Sequence, residues 1–146
     1  MKIAQWAAML LGLVVAAGAN AGDLHVLSAH APATAAGAGT AAAYLTVHNV
    51  GASADRLLRA TTPVAASVEI HQSQLDGMVM RMRALPFIDV PVGGSVEMRT
   101  GGIHLMLLGL KHPLRAGEQF TLRLDFARAG PVDASVKVLP IGAAAR

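Results

Sequence analysis

Five of the seven methionines and two of the six histidines fall between His71 and Met106. The stretch reads HQSQLDGMVMRM, then a connector RALPFIDVPVGGSVEMRTGG, then IHLM. Ten residues separate His71 from Met82, twenty-one separate Met82 from His104, and one separates His104 from Met106. Imidazole nitrogen and thioether sulfur are neutral donors, and the softness of the thioether favours Cu(I). Structural zinc takes thiolates or carboxylates beside histidine, and calcium takes oxygens. His71, Met82, His104 and Met106 are therefore expected to converge on one cuprous ion. Each residue alone has a plainer reading, since a strand methionine usually fills core and a lone histidine usually sits at the surface or in a hydrogen bond. Two His/Met pairs in a cysteine-free chain shift the balance toward metal.

These side chains need strands to bring them together. Asp-Gly is a preferred centre for a two-residue hairpin turn. With Asp76-Gly77 as that centre, His71 faces Met82, and directly opposed residues hold their Cβ atoms roughly 4.5–5.5 Å apart on one face. His104 and Met106 are two apart on a strand and share a face. The register has one conflict: the other face of the hairpin carries Arg81 and Arg83, and a core face does not hold unpaired arginines. Either the hairpin projects beyond the domain or its turn is longer, and both outcomes keep the site near the surface. Met78 and Met80 are spare thioethers: Met80 shares the face of Met82, where an auxiliary donor is one reading and packing the plainer one, and Met98, alternating with Val96, is assigned to the core. His25, His30, His48 and His112 have no spaced methionine partner; His112, just past the site strand, is expected on a surface loop, with support of a ligand from behind as the alternative. Gly101-Gly102 would allow backbone or a partner to approach closely.

The rest of the chain reads as short strands between Gly/Pro turns. Leu24–Leu27 is expected as an edge strand, and the small residues of 32–39 as a loop. Tyr44, Thr46 and His48 alternate with Leu45 and Val47 over 41–49. Residues 55–60 are expected to send Leu57 and Leu58 into the core. Strands follow at 67–74, 78–85, 89–92 and 95–99. Residues 103–110 are apolar on both faces and belong at the centre of a sheet. Phe120, Leu122, Leu124 and Phe126 line one face of the next strand, and Val132, Ala134, Val136 and Val138 one face of the last. Seven to nine strands with no convincing helix predict an all-β, Greek-key sandwich or barrel.

One domain suits the 146 residues once a leader is set aside. Lys2, the apolar run Trp6–Ala17 and Ala19-Asn20-Ala21 form a secretory signal peptide, with cleavage expected after Ala21. The apolar run is short for a membrane span. The domain is then 22–146. The sequence has no cysteine, so no disulfide staples the fold, no thiol accepts a lipid, and the product is expected to be soluble and periplasmic. Thioethers also resist oxidation better than thiolates in such a compartment. Net charge is only +3 and aromatic residues are few, which argues against the basic stripe and stacking rings of a nucleic-acid binder. No Ser/His/Asp set or close carboxylate pair suggests an enzyme.

The spacing H-x10-M-x21-H-x-M, together with AAAYLTVHNVG, VEIH, DGMVMRM, PVGGSVEM, GGIHLMLLGLK and PLRAGEQFTLRLDF, resembles the PCuAC family of periplasmic copper chaperones. The resemblance covers nearly all of 41–138. It implies a cupredoxin-like β-sandwich holding Cu(I) at an exposed site of two histidines and two methionines. It further implies delivery toward the CuA centre of cytochrome c oxidase, with oxidase subunit II and Sco-type proteins as partners of a monomeric carrier. The chain departs from the family at His30-Ala31-Pro32, where a Trp-x-Arg run is usual. The tail after Pro140 has no His or Met, so no accessory copper-binding extension is expected. Copper buffering without a client, or an exported interaction module without metal, are the alternatives.

Overall fold

A computed structural model describes residues 22–143; the expected leader at 1–21 lies outside them. Ten strands follow in order: β1 (Leu24–Pro32), β2 (Thr40–Asn49), β3 (Asp55–Thr61), β4 (Ala65–Asp76), β5 (Val79–Ala84), β6 (Ile88–Val90), β7 (Ser95–Glu97), β8 (Ile103–Leu110), β9 (Gln119–Phe126) and β10 (Gly130–Leu139). Among the described residues there is no helix. The hydrogen-bonded path runs β5-β4-β8-β2-β1-β10-β9-β3-β6, with β7 added to β2. This is the cupredoxin-like, Greek-key sandwich that the strand pattern and the resemblance predict.

The path folds over at β2. Its first half, Thr40–Ala43, pairs with β8, and its second half, Thr46–His48, pairs with β7. One sheet thus contains β5, β4, β8 and the start of β2; the other contains β1, β10, β9, β3, β6 and β7. Side chains of period two fill the space between them. Leu45, Val47, Leu105, Leu107, Leu122, Leu124 and Val136 are all buried to within 1 %. The Phe120–Phe126 and Val132–Val138 faces point inward as expected, and so does Met98.

One expectation fails and a second holds only in part. Leu58 is exposed while Leu57 is buried, because adjacent strand residues point to opposite faces. The expected edge, Leu24–Leu27, pairs with β2 alone, but β1 continues past a bulge and pairs with β10 in parallel through His30↔Lys137, Ala31↔Val138 and Pro32↔Leu139, which sets the whole strand between β2 and β10. Such a parallel pairing joins segments distant in sequence and leaves no local turn signature. β8 is central, between β4 and β2.

One buried carboxylate fastens the start of β3 to the turn between β9 and β10. Asp55 Oδ1 accepts from the backbone N–H groups of Arg56 (2.7 Å) and Arg128 (2.8 Å), and Oδ2 accepts from that of Ala129 (2.9 Å). Asp55→Ala strands these donors, and each unsatisfied buried group costs about 1–3 kcal/mol. We expect a loss of roughly 3 kcal/mol in urea unfolding, with the denaturant slope unchanged.

Candidate metal centre

β4 and β8 are neighbours, and their register places His71 directly opposite His104. The ring centroids are 5.8 Å apart, edge to face. Met106 lies two residues along β8 from His104, on the same outward face, opposite Glu69. The inward face of the same strands carries Ile70, Leu105 and Leu107, all buried. The alternation that sends those three into the core therefore sends His71, His104 and Met106 outward together.

The β4–β5 hairpin turns one residue later than Asp76-Gly77 predicts. Asp76 pairs with Val79, so Gly77 and Met78 are the central residues. Gly77 has φ +64, and a left-handed glycine at the first central position is the pattern of a type II′ turn. Moving the turn centre by one residue moves every partner by two, so side chains keep their faces. His71 now opposes Ala84, and Met82 opposes Ser73. Met82 is thus diagonal to His71 rather than directly across, with Cβ atoms roughly 7–8 Å apart. Its three rotatable bonds span such a gap. The conflict over Arg81 and Arg83 resolves as projection: all of β5 is exposed, and Arg81 pairs with Asp76 at 3.2 Å in solvent.

Hydrogen bonds assign the free nitrogen of each ring. His104 Nδ1 lies 3.1 Å from the Gly102 carbonyl, so Nδ1–H donates and Nε2 keeps its lone pair. The same carbonyl accepts from Ser73 N–H at 3.0 Å, tying the hairpin to the His104 ring. His71 Nε2 lies 2.6 Å from Glu69 Oε2, so Nε2–H donates and Nδ1 carries the lone pair. That Nδ1 is buried and has no hydrogen-bond partner. Buried polar atoms are almost always satisfied, and a ligand here would satisfy this one. A carboxylate behind a ligating histidine fixes its tautomer and raises its basicity.

His104 is only 4 % exposed although it faces away from the core. The His71 ring covers one side, and Tyr44 on β2 lies on the other with centroids 6.3 Å apart. His30 stacks on Tyr44 at 5.4 Å. A bulge between Leu27 and His30, with Ser28 at φ +54, sets this position on β1. Gly101 takes φ +82, a left-handed conformation that turns the chain into β8, and no other part of the described chain approaches it within 4 Å. His48 bonds Ser95 Oγ at 2.6 Å, and His112 is exposed on the loop after β8.

The strands thus bring His71, His104 and Met106 onto one patch, with Met82 at its margin on the hairpin. Sequence reasoning missed Glu69 and Tyr44. Glu69 was within reach, being two residues before His71 on the same strand face. Among the described residues no three His, Asp or Glu side chains form a harder metal site.

Comparison with known proteins places the family and the fold. The family model described as "Putative lipoprotein LpqE-like" matches residues 24–138. The "Putative lipoprotein Lxx21020" of Leifsonia xyli subsp. xyli (strain CTCB07) is 35 % identical over 106 residues, covering 70 % of this chain and 64 % of that protein. The match thus spans just under two thirds of that relative's length. Both descriptions speak of lipoproteins, whereas this sequence contains no cysteine. Among solved structures, the apo PmoF2 PCuAC domain superposes with TM-score 0.71 at 24 % identity, covering 86 % of this chain and 96 % of that one; at that identity the likeness is one of fold. The CuI-bound form of DR1885 from Deinococcus radiodurans superposes with TM-score 0.60 at 28 % identity, covering 82 % and 81 %. The chain belongs to the LpqE-like family and is built on the fold of the PCuAC domains.

Proposed function

We propose that this protein is a Cu(I) carrier that works outside the cytoplasm, in the periplasm. His71 Nδ1, His104 Nε2 and the sulfurs of Met106 and Met82 hold the ion. The observation that carries the proposal is the buried, unpartnered Nδ1 of His71, on a ring whose centroid lies 5.8 Å from that of His104. The donor set adds to it: two neutral imidazoles and two thioethers suit a cuprous ion and offer no anion to Cu(II). The DR1885 structure of the same fold is described as Cu(I)-bound. An exposed hairpin ligand suits release by stepwise ligand exchange. The destination implied by the PCuAC resemblance is the CuA centre of cytochrome c oxidase, with Sco-type proteins alongside.

The test is a Cu(I) titration against a chromophoric chelator, followed by X-ray absorption on the loaded protein. One equivalent bound, with both nitrogen and sulfur in the first shell, is the expected result. A first shell without sulfur sinks the assignment. Delivery is separated from buffering in a deletion strain: loss of oxidase assembly marks delivery, and copper sensitivity alone marks buffering. Glu69→Gln leaves an oxygen to accept from His71 Nε2–H but removes its charge. We expect Cu(I) affinity to fall about tenfold, the lower end of outer-shell effects, with no change in thermal unfolding because Glu69 is exposed. Unchanged affinity would show that the carboxylate does not tune His71.

A further inference from the structure

The β4–β5 hairpin has two unlike faces. Leu75, Met80 and Met82 share the face of His71, as the pairs Leu75↔Met80, Ser73↔Met82 and His71↔Ala84 require. Gln72, Gln74, Arg81 and Arg83 share the other. Packing, the expected role of Met80, does not explain its face. Met80 is 57 % exposed, its cross-strand partner Leu75 is 65 % exposed, and Met78 at the turn is fully exposed. Among the described residues, five of the ten large hydrophobics left exposed lie on this hairpin: Leu75, Met78, Val79, Met80 and Met82. Three of those five are thioethers, although aliphatic residues would serve equally well as idle surface.

Their order has a direction. Met78 sits at the tip, Met80 two residues nearer the domain, and Met82 two residues nearer again, diagonal to His71. Same-face neighbours on a strand are roughly 6.5–7 Å apart, a span that two long, flexible side chains close between them. The thioether face leads without interruption from solvent to the patch of His71, His104 and Met106.

We propose that Met80 is the acquisition ligand for Cu(I), with Met78 outermost, and that the ion passes from Met80 to Met82 and then to the histidines. This rests on the four-ligand reading above and adds its entry route. Each step is a ligand exchange: a thioether lone pair forms a bond to Cu(I) as a donor of the previous holder leaves. No electron or proton moves in the thioether steps.

The experiment is stopped-flow transfer of Cu(I) from its bicinchoninate complex to wild type and Met80→Leu, beside an equilibrium titration of both. Leucine conserves volume, so the exposed strand keeps its shape. We expect Met80→Leu to load roughly tenfold more slowly, within the one to three decades over which association rates vary among variants of one site, while equilibrium affinity stays within about twofold. Met98→Leu, a change at a buried thioether, should load at the wild-type rate. Met80→Leu loading as fast as wild type overturns the route and leaves the four-ligand site standing. Equilibrium affinity falling in step with the rate also overturns it, because Met80 would then be a resident ligand. Wild type that takes up no Cu(I) overturns both readings.

Discussion

His104→Ala should lower Cu(I) affinity by more than the roughly 10–100-fold that loss of an outer-shell partner costs at metal sites. The substitution removes the Nε2 donor of the most buried of the four proposed ligands. The His71 ring then loses the imidazole whose centroid lies 5.8 Å from its own. Competition against a chromophoric chelator reads the loss directly. His48→Ala is the control, since the His48 ring is engaged with Ser95 Oγ and lies outside the patch. Equal competition by His104→Ala and wild type would remove this histidine from the site.

Leu105→Ala should have the largest effect on folding. Leu105 is fully buried, sits on the central strand between His104 and Met106, and points to the opposite face from both. Removing its side chain opens a cavity in the middle of the sandwich, and buried Leu→Ala changes cost about 2–5 kcal/mol. For a domain of this size the melting temperature should drop on the order of 10 °C. The folded fraction should still bind Cu(I) with wild-type affinity, because the outward face is untouched. A drop in affinity at temperatures where the variant is fully folded would show that core packing sets the ligand geometry. The pair of variants separates site from scaffold with changes at adjacent residues.

An apolar run after Gly101-Gly102 made β8 legible to its ends, and period-two alternation did the same for β9, together with the inward faces of β9 and β10. Alternation also placed His104 and Met106 on one face, because that relation is local to a single strand. What the sequence could not display was non-local pairing. Nothing in the composition of β1 announces that it pairs in parallel with β10, and nothing near His71 announces that β8 will be its neighbour. The hairpin was read correctly as a hairpin but centred one residue early. An Asp-Gly pair suits a type I′ turn at both central positions, whereas here Gly77 takes the first position alone. Parity rescued the faces but not the partner, which is why Met82 lies diagonal to His71. Leu58 was misassigned by composition, since two adjacent leucines on one strand cannot both face inward.

β5 ends one side of the hydrogen-bonded path, pairs only with β4, and is exposed throughout. Its outer row of amide and carbonyl groups could in principle template another chain, and valine and methionine along it would favour growth into fibres. Arg81 and Arg83 interrupt that stretch. Two copies meeting edge to edge would bring like guanidinium groups together, and the repulsion discourages polymerisation. The exposed thioethers and the charges that oppose edge-to-edge growth thus lie on the same short strand.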